Sequence, residues 1–352
     1  MTREAKPIRH RSHNKTVAAA ALFLMPFFAL RAAPAETCTT QSQMQPAERD
    51  TLAGAARSLA LKIQAADLAG VRANTIAEFA SSFDGIGNTI SSTAPHLKSG
   101  TPVVEQVYLL DASANKRNPD GSSPDAQFDC TLNKSAAEAD FTIASLPPGR
   151  YAFTLVRFTG ESPWLVSFLL RQQTPASPWQ LAGLYPKAAT VAGHDGLWYW
   201  TQARSLSAAK QPWNAFLYFG QARQLLQPAP FVSSTHLEAL RTETASAAPP
   251  ALANGIGPDN PLVIKAADGA EYRFTSLYPD NTLDKEKPDV AAHIKVDSLG
   301  DANTARARNL AAMSALLAAH PELRTAFHGV WIFSDAPGQA PVANEAAMNE
   351  IH

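Results

Sequence analysis

The chain has 352 residues, with 30 basic, 31 acidic and 9 His side chains and a formal net charge of −1 at neutral pH. With no basic excess, nucleic acid is excluded as the main expected partner. At this length, two domains or a domain with an appendage are expected.

Residues 1–15 carry Arg3, Lys6, Arg9, Arg11 and Lys15 against Glu4 alone, and "TVAAAALFLMPFFAL" and then "RAAPA" follow. A basic region, a short apolar run and a small-residue site form the order of a secretory signal. Cleavage is expected after Ala35, which makes 1–35 a signal peptide and places the mature protein in the periplasm or outside the cell. The apolar run is about 15 residues, short for a ~30 Å hydrocarbon core, and Pro26 interrupts it. Arg31, directly after the run, keeps an uncleaved anchor open as the alternative. Cleavage would remove six basic residues and one acidic one, leaving 24 against 30 and a net charge of −6. That balance suits a soluble protein with no membrane attachment once the signal is gone.

The cysteines are Cys38 and Cys130. An even number in an exported chain points to one disulfide, which would pin the mature N-terminus to a strand. Metal binding is the competing reading, but two distant thiolates with no nearby His make a poor site.

From Pro46 the chain is rich in Ala and Leu. Leu52, Ala56, Leu59 and Ile63 form one helical stripe; Leu68, Val71, Ile76 and Phe79 form another. Two helices are expected, about 47–65 and 67–82, with Asp67 as the cap of the second. The period then shortens. "TPVVEQVYLLDAS", "AQFDCTLN", "AEADFTIASL", "GRYAFTLVRFTG", "PWLVSFLLRQQ" and "WQLAGLYPKAATV" are strand-like runs separated by Gly, Pro, Asn and Asp. They predict an antiparallel meander of five or six strands. "DASANKRNPDG", Asp111–Gly121, lacks the closing Glu of a calcium loop and reads as a hairpin loop.

Helices followed by a long antiparallel sheet, with "WLVSFLLRQQTPASPWQLAGLYP" at its end, resemble SnoaL-type NTF2-like domains. The resemblance covers about residues 46–193, and the domain is taken as 36–193. It implies an α+β cone; a β-sandwich preceded by a helical extension is the rival architecture. The NTF2-like class includes isomerases, dehydratases and many non-catalytic pockets, so the resemblance does not settle function. No catalytic pair of the class can be matched. Asp140 and Asp129 are strand-borne carboxylates, and Tyr108 and Tyr151 are strand-borne phenols; a solvated strand face and core packing explain them.

"GLWYWTQARSLSAAKQPWNAFLYFGQARQLLQP" follows, two helical runs with Pro212 in the first turn of the second. Ala203, Ala215, Phe219 and Ala222, with Pro228 just beyond, resemble one tetratricopeptide unit, expected over 194–243. One unit cannot bury its own faces, so another surface must supply the missing neighbour. Trp198, Trp200, Trp213 and Phe216 are spread around these helices, as packing residues or as a binding surface.

Residues 244–261 have the composition of a linker. "LVIKAADGAEYRFTSLY" then predicts a hairpin whose Asp268-Gly269 suits a two-residue type I′ turn. Strand, helix and strand follow, giving a ββ-β-α-β domain over 262–352. Its helix opens at Asp301 or Asn303. His293, Lys295 and Asp297 are read onto one strand face. His328 and Asp335 flank the last strand, and His293 and His328 meet if these two strands are neighbours. Structural roles explain the same residues.

No zinc-protease, nucleophile-elbow, phosphate-loop, dinucleotide or C-x-x-C motif occurs. No cofactor and no metal are expected. The expected function is non-catalytic binding or scaffolding, with an envelope protein or a small apolar ligand as partner. The alternatives are an enzyme using the cone as its pocket and a structural partner in envelope assembly.

Overall fold

The computed structural model describes residues 36–131, 138–280 and 287–352, which belong to one compact unit. The expected signal segment lies outside the described residues. No helix among the described residues is long and apolar enough to cross a membrane. The fold mixes helices with three sheets, as an α+β reading requires.

After the short strand β1 (Thr37–Thr40), helix α1 (Pro46–Gln64) buries the expected stripe of Leu52, Ala56, Leu59 and Ile63. The second expected helix breaks into α2 (Leu68–Ala73) and α3 (Ala77–Ala80). Asp67 caps α2 by accepting from the Gly70 N–H. The break is a tertiary effect: Thr75 bridges to Leu181, whose carbonyl accepts from the Ile76 N–H while its own N–H donates to Asn74. Leu68 and Phe79 are consequently exposed rather than part of a buried stripe. Helix α4 (Asp84–Leu97) was not legible, because Gly85, Gly87 and Pro95 lie within it.

The first sheet runs β1-β2-β5-β6-β7, with β2 Thr101–Asp111, β5 Arg150–Thr159, β6 Trp164–Gln172 and β7 Gln180–Ala188. All its pairings are antiparallel. The intervening strands β3 (Ala126–Thr131) and β4 (Glu138–Ile143) do not join this meander. Strand β2 pairs with β5 along its whole length, so no edge remains between them. The β3–β4 hairpin forms a second sheet with β8 (Val232–Ser234), contributed from beyond the helical pair. A disulfide between Cys38 and Cys130, with Cα atoms 5.3 Å apart, ties β1 to β3.

Both faces of the five-stranded sheet are covered. On one, α1 and α4 pack onto Val107, Leu109, Ala152, Phe158, Phe168 and Leu170. On the other, Tyr108, Tyr151 and Phe153 meet Phe128 and Phe141 of the small sheet. Edge-to-face ring pairs run Tyr108–Phe141–Phe153–Phe231–Tyr185 with centroids 5.2 to 5.5 Å apart. Such rings fill volume densely and exclude water.

Helices α5 (Gly196–Ala208) and α6 (Pro212–Leu226) form a hairpin, with Ala203, Ala215 and Ala222 fully buried. Their close approach leaves no room at Gly196, where an added Cβ would lie 2.5 Å from Leu226 Cγ. Helix α7 (Thr235–Ala247) follows, capped by the Ser234 hydroxyl. The stretch expected as a linker, 244–261, contains the last turn of α7 and a 3-10 turn at Pro250–Leu252 with Leu252 buried.

The third sheet runs β13-β12-β11-β10-β9: β9 Leu262–Lys265, β10 Glu271–Asp280, β11 Asp289–Lys295, β12 Gly329–Asp335 and β13 Val342–Ala347. Strands β11 and β12 are parallel, joined through α8 (Ala302–Ala319) and α9 (Leu323–Ala326). Asp301 caps α8, and buried Asn309 fixes it to the sheet through Ile332 O, Val342 O and Asn344 Oδ1. The β9–β10 turn differs from the expected type I′. Gly269 has positive φ and Asp268 does not; Ala266 accepts from the Gly269 N–H and donates to Ala270 O, so the loop is longer by one residue. Helix α9 and edge strand β13 extend the expected ββ-β-α-β order.

One hydrophobic core unites α5–α7 with this sheet and its helices. The surface missing from the helical pair is therefore supplied from within the chain. Tyr218 OH donates to Ala326 O, Trp213 stacks on His320, and Asn214 donates to Glu322 O.

Candidate functional site

Strand alternation places His293, Phe333 and Trp331 on the face of the third sheet opposite α8. Their rings stack with Tyr278 in one row: Tyr278 on His293, His293 on Phe333 at 4.7 Å, and Phe333 beside Trp331. His293 Nδ1 lies 2.8 Å from Asp335 Oδ2, and its Nε2 lies 3.3 Å from Tyr278 OH. Burial, then Asp280 and Asp335, raise the Tyr278 phenol above its ordinary range.

His328 belongs to the other end of the same strand pair. The register sets His293 opposite Phe333, five residues beyond His328, or roughly 16 Å along the strands. The expected meeting of His293 with His328 therefore does not occur, although β11 and β12 are neighbours. In a parallel pair, two residues meet only when the register aligns them, and a sequence does not show the register. Asp297 is corrected too: β11 ends at Lys295, and Asp297 lies exposed beyond it. Its expected place beside His293 is taken by Asp335.

Around His328, Nδ1 lies 2.9 Å from Oδ1 of Asp289, the fully buried first residue of β11. Glu345 of β13 completes the group, with one ligating atom from each residue lying within 4.8 Å of the others. His328 is held by its backbone, donating to Pro288 O and accepting from the Met348 N–H. Gly329 sits beneath the group; an added Cβ would lie 2.7 Å from Ala346 O, 2.9 Å from Asp289 Oδ1 and 3.0 Å from Glu345 Oε1. Burial first, and then the Asp289 charge, raise the Glu345 carboxyl above its ordinary range. Asp289 and Glu345 were missed in the sequence. Asp289 directly before the apolar run Val290–Ala292 was a usable signal; Glu345 lies on a strand that its Ala-rich segment concealed.

Asp140 stands apart on the outer face of the small sheet, directly opposite Asp129. Burial and the Asp129, Glu138 and Glu238 charges raise its carboxyl.

The four rings of the helical pair face different neighbours. Trp198 stacks on His194, and Trp213 stacks on His320, both at 3.7 Å. Phe216 is partly buried against the core shared with the third sheet. Trp200 donates to Glu243 Oε2 of α7, which also pairs with Arg204. Trp200 also lines a groove of about 450 Å³ together with Tyr108, Leu197, Val232, His236 and Leu237. The groove lies where α5 and α7 meet the small sheet, and Leu197 is 59% exposed beside it.

Comparison of the chain with protein-family models, curated proteins and solved structures gave no match.

Proposed function

We propose that this is an exported, non-catalytic binding protein that takes a small apolar ligand in the groove between the helical pair and the small sheet. The N-terminal half is read as an NTF2-like domain whose interior is core rather than pocket, and α5–α6 as a tetratricopeptide-like unit. The observation that carries the reading is the groove itself. Its volume of about 450 Å³ falls in the range of small-molecule sites, its walls are Leu, Val, Trp and Tyr, and His236 and two serines provide a few polar groups. The packed apolar layers on both faces of the five-stranded sheet support a ligand site outside the cone. The Cys38–Cys130 bridge is the kind of crosslink that persists in an oxidising compartment, which supports export.

The test is native mass spectrometry of the full chain expressed in its host and purified from the envelope fraction, with thiol alkylation as a second readout. A protected Cys38–Cys130 pair and a co-purifying apolar compound, lost in Leu237→Glu, are expected. Free thiols and a cytoplasmic location would overturn the export reading. Retention of the same compound by Leu237→Glu would overturn the groove assignment, and co-purification of an envelope protein instead would replace the ligand with a protein partner.

A further inference from the structure

We propose that Asp289, His328 and Glu345 bind one divalent transition-metal cation, zinc being the best fit to the donor set. One imidazole with two carboxylates is a mixed nitrogen and oxygen set; calcium and magnesium favour all-oxygen surroundings. Asp289 and Glu345 come from β11 and β13, His328 immediately precedes the β12 strand between them, and the three ligating atoms lie within 4.8 Å of one another. Bonds of about 2.0–2.2 Å to each donor require separations of roughly 3–4 Å, so small rotations of the half-buried His328 and Glu345 close the site.

A second observation points to a ligand independently of the clustering. Asp289 is fully buried, and among the described residues its Oδ2 has no hydrogen-bond partner. A buried carboxylate with a single imidazole partner lacks the compensation that buried charges ordinarily receive. Among the described residues Asp289 has its ion pair with His328, and Glu345 has none. A cation would neutralise both carboxylates and occupy the lone pairs now unused. Gly329 adds a third feature: Asp289 Oδ1, Glu345 Oε1 and Ala346 O crowd a position that any Cβ would fill. The scaffold is rigid, because His328 is hydrogen-bonded through its backbone on both sides. Cation binding would replace the hydrogen bond between His328 Nδ1 and Asp289 Oδ1, with the neutral imidazole carrying its proton on Nε2.

Zinc titration of the metal-stripped full-length protein against a chromogenic chelator tests the proposal, with the thermal midpoint followed in parallel. One equivalent is expected to bind and raise the midpoint. Loss of an outer-shell partner alone weakens metal sites by about 10–100-fold, so His328→Gln and Glu345→Gln should weaken binding at least that much. Both residues are partly exposed, so these variants remain informative even if Asp289→Asn fails to fold. Asp335→Asn, which alters the separate His293 pair, should bind zinc as the wild type does. A wild-type protein that binds no zinc, with the cluster held by protons alone, would overturn the proposal. So would folded His328→Gln and Glu345→Gln variants that retain the wild-type affinity.

Discussion

The indole of Trp213 lies on the imidazole of His320, with ring centroids 3.7 Å apart. The contact joins the helical pair to the loop after α8. Burial beside the indole pushes the His320 pKa down to about 4 from 6.5. The folded state thus favours the neutral ring, and below pH 6.5 the unfolded state binds more protons. This contribution to stability is fully present above pH 6.5 and is lost as the pH falls towards about 4. Denaturant midpoints measured between pH 7 and pH 4 should decline, and His320→Phe, which keeps a ring without titration, should flatten the decline. An unchanged slope in that variant would assign the acid sensitivity to other groups.

A second prediction concerns Lys187 of β7. Its ammonium donates to the carbonyls of Gln224, Leu225 and Gln227 at the C-terminal end of α6. These carbonyls lack helical partners, and a cation there also meets the negative end of the helix dipole. Burial, and then Arg157, push its pKa down to about 8, yet the ammonium ties β7 to the end of α6. Lys187→Met should cost about 1–3 kcal/mol in urea unfolding, since it leaves three carbonyls, two of them partly buried, without their donor. A neutral result would mean that water replaces the ammonium at no cost.

The disulfide between Cys38 and Cys130 spans a sequence separation of 92 residues. In the chain-entropy view, closing such a loop is worth on the order of 4 kcal/mol. The Cys38→Ser, Cys130→Ser double variant should unfold at markedly lower denaturant, and β1 should lose amide-exchange protection first. Equal midpoints for the wild type and this variant would show that β1 pairing alone holds the N-terminus.

Gly329→Ala should destabilise the C-terminal sheet by about 1–3 kcal/mol, because the new methyl group meets three oxygens at 3.0 Å or less. Gly220, where an added Cβ meets nothing within 4 Å, provides the control. If Gly220→Ala proves as damaging as Gly329→Ala, the crowding argument fails.

What the sequence made legible was local. Asp67 caps its helix as expected, Asp301 is one of the two positions expected to open α8, and the α1 stripe is buried as its spacing implied. A cap is legible because its partner lies three residues away. Partner choice between strands is not local. The β3–β4 hairpin looked like part of the meander, yet it pairs with β8 from beyond the helices. The candidate site suffered in the same way. His293 and His328 were found as residue types, but the parallel register sends them to opposite ends of the strands, beside Asp335 and Asp289. Edge strand β13 carries Glu345 on the segment "VANEAA", whose composition gives no strand signal.

Binding of the proposed ligand in the groove beside Trp200 is read by energy transfer from tryptophan to an uncharged naphthylamine probe. Saturable one-to-one binding is expected, weakened about tenfold or more in Leu197→Glu and Leu237→Glu, with thermal midpoints unchanged in Leu197→Glu, since Leu197 is 59% exposed. Probe binding with the same affinity in both variants, or no binding to the wild type, would contradict it.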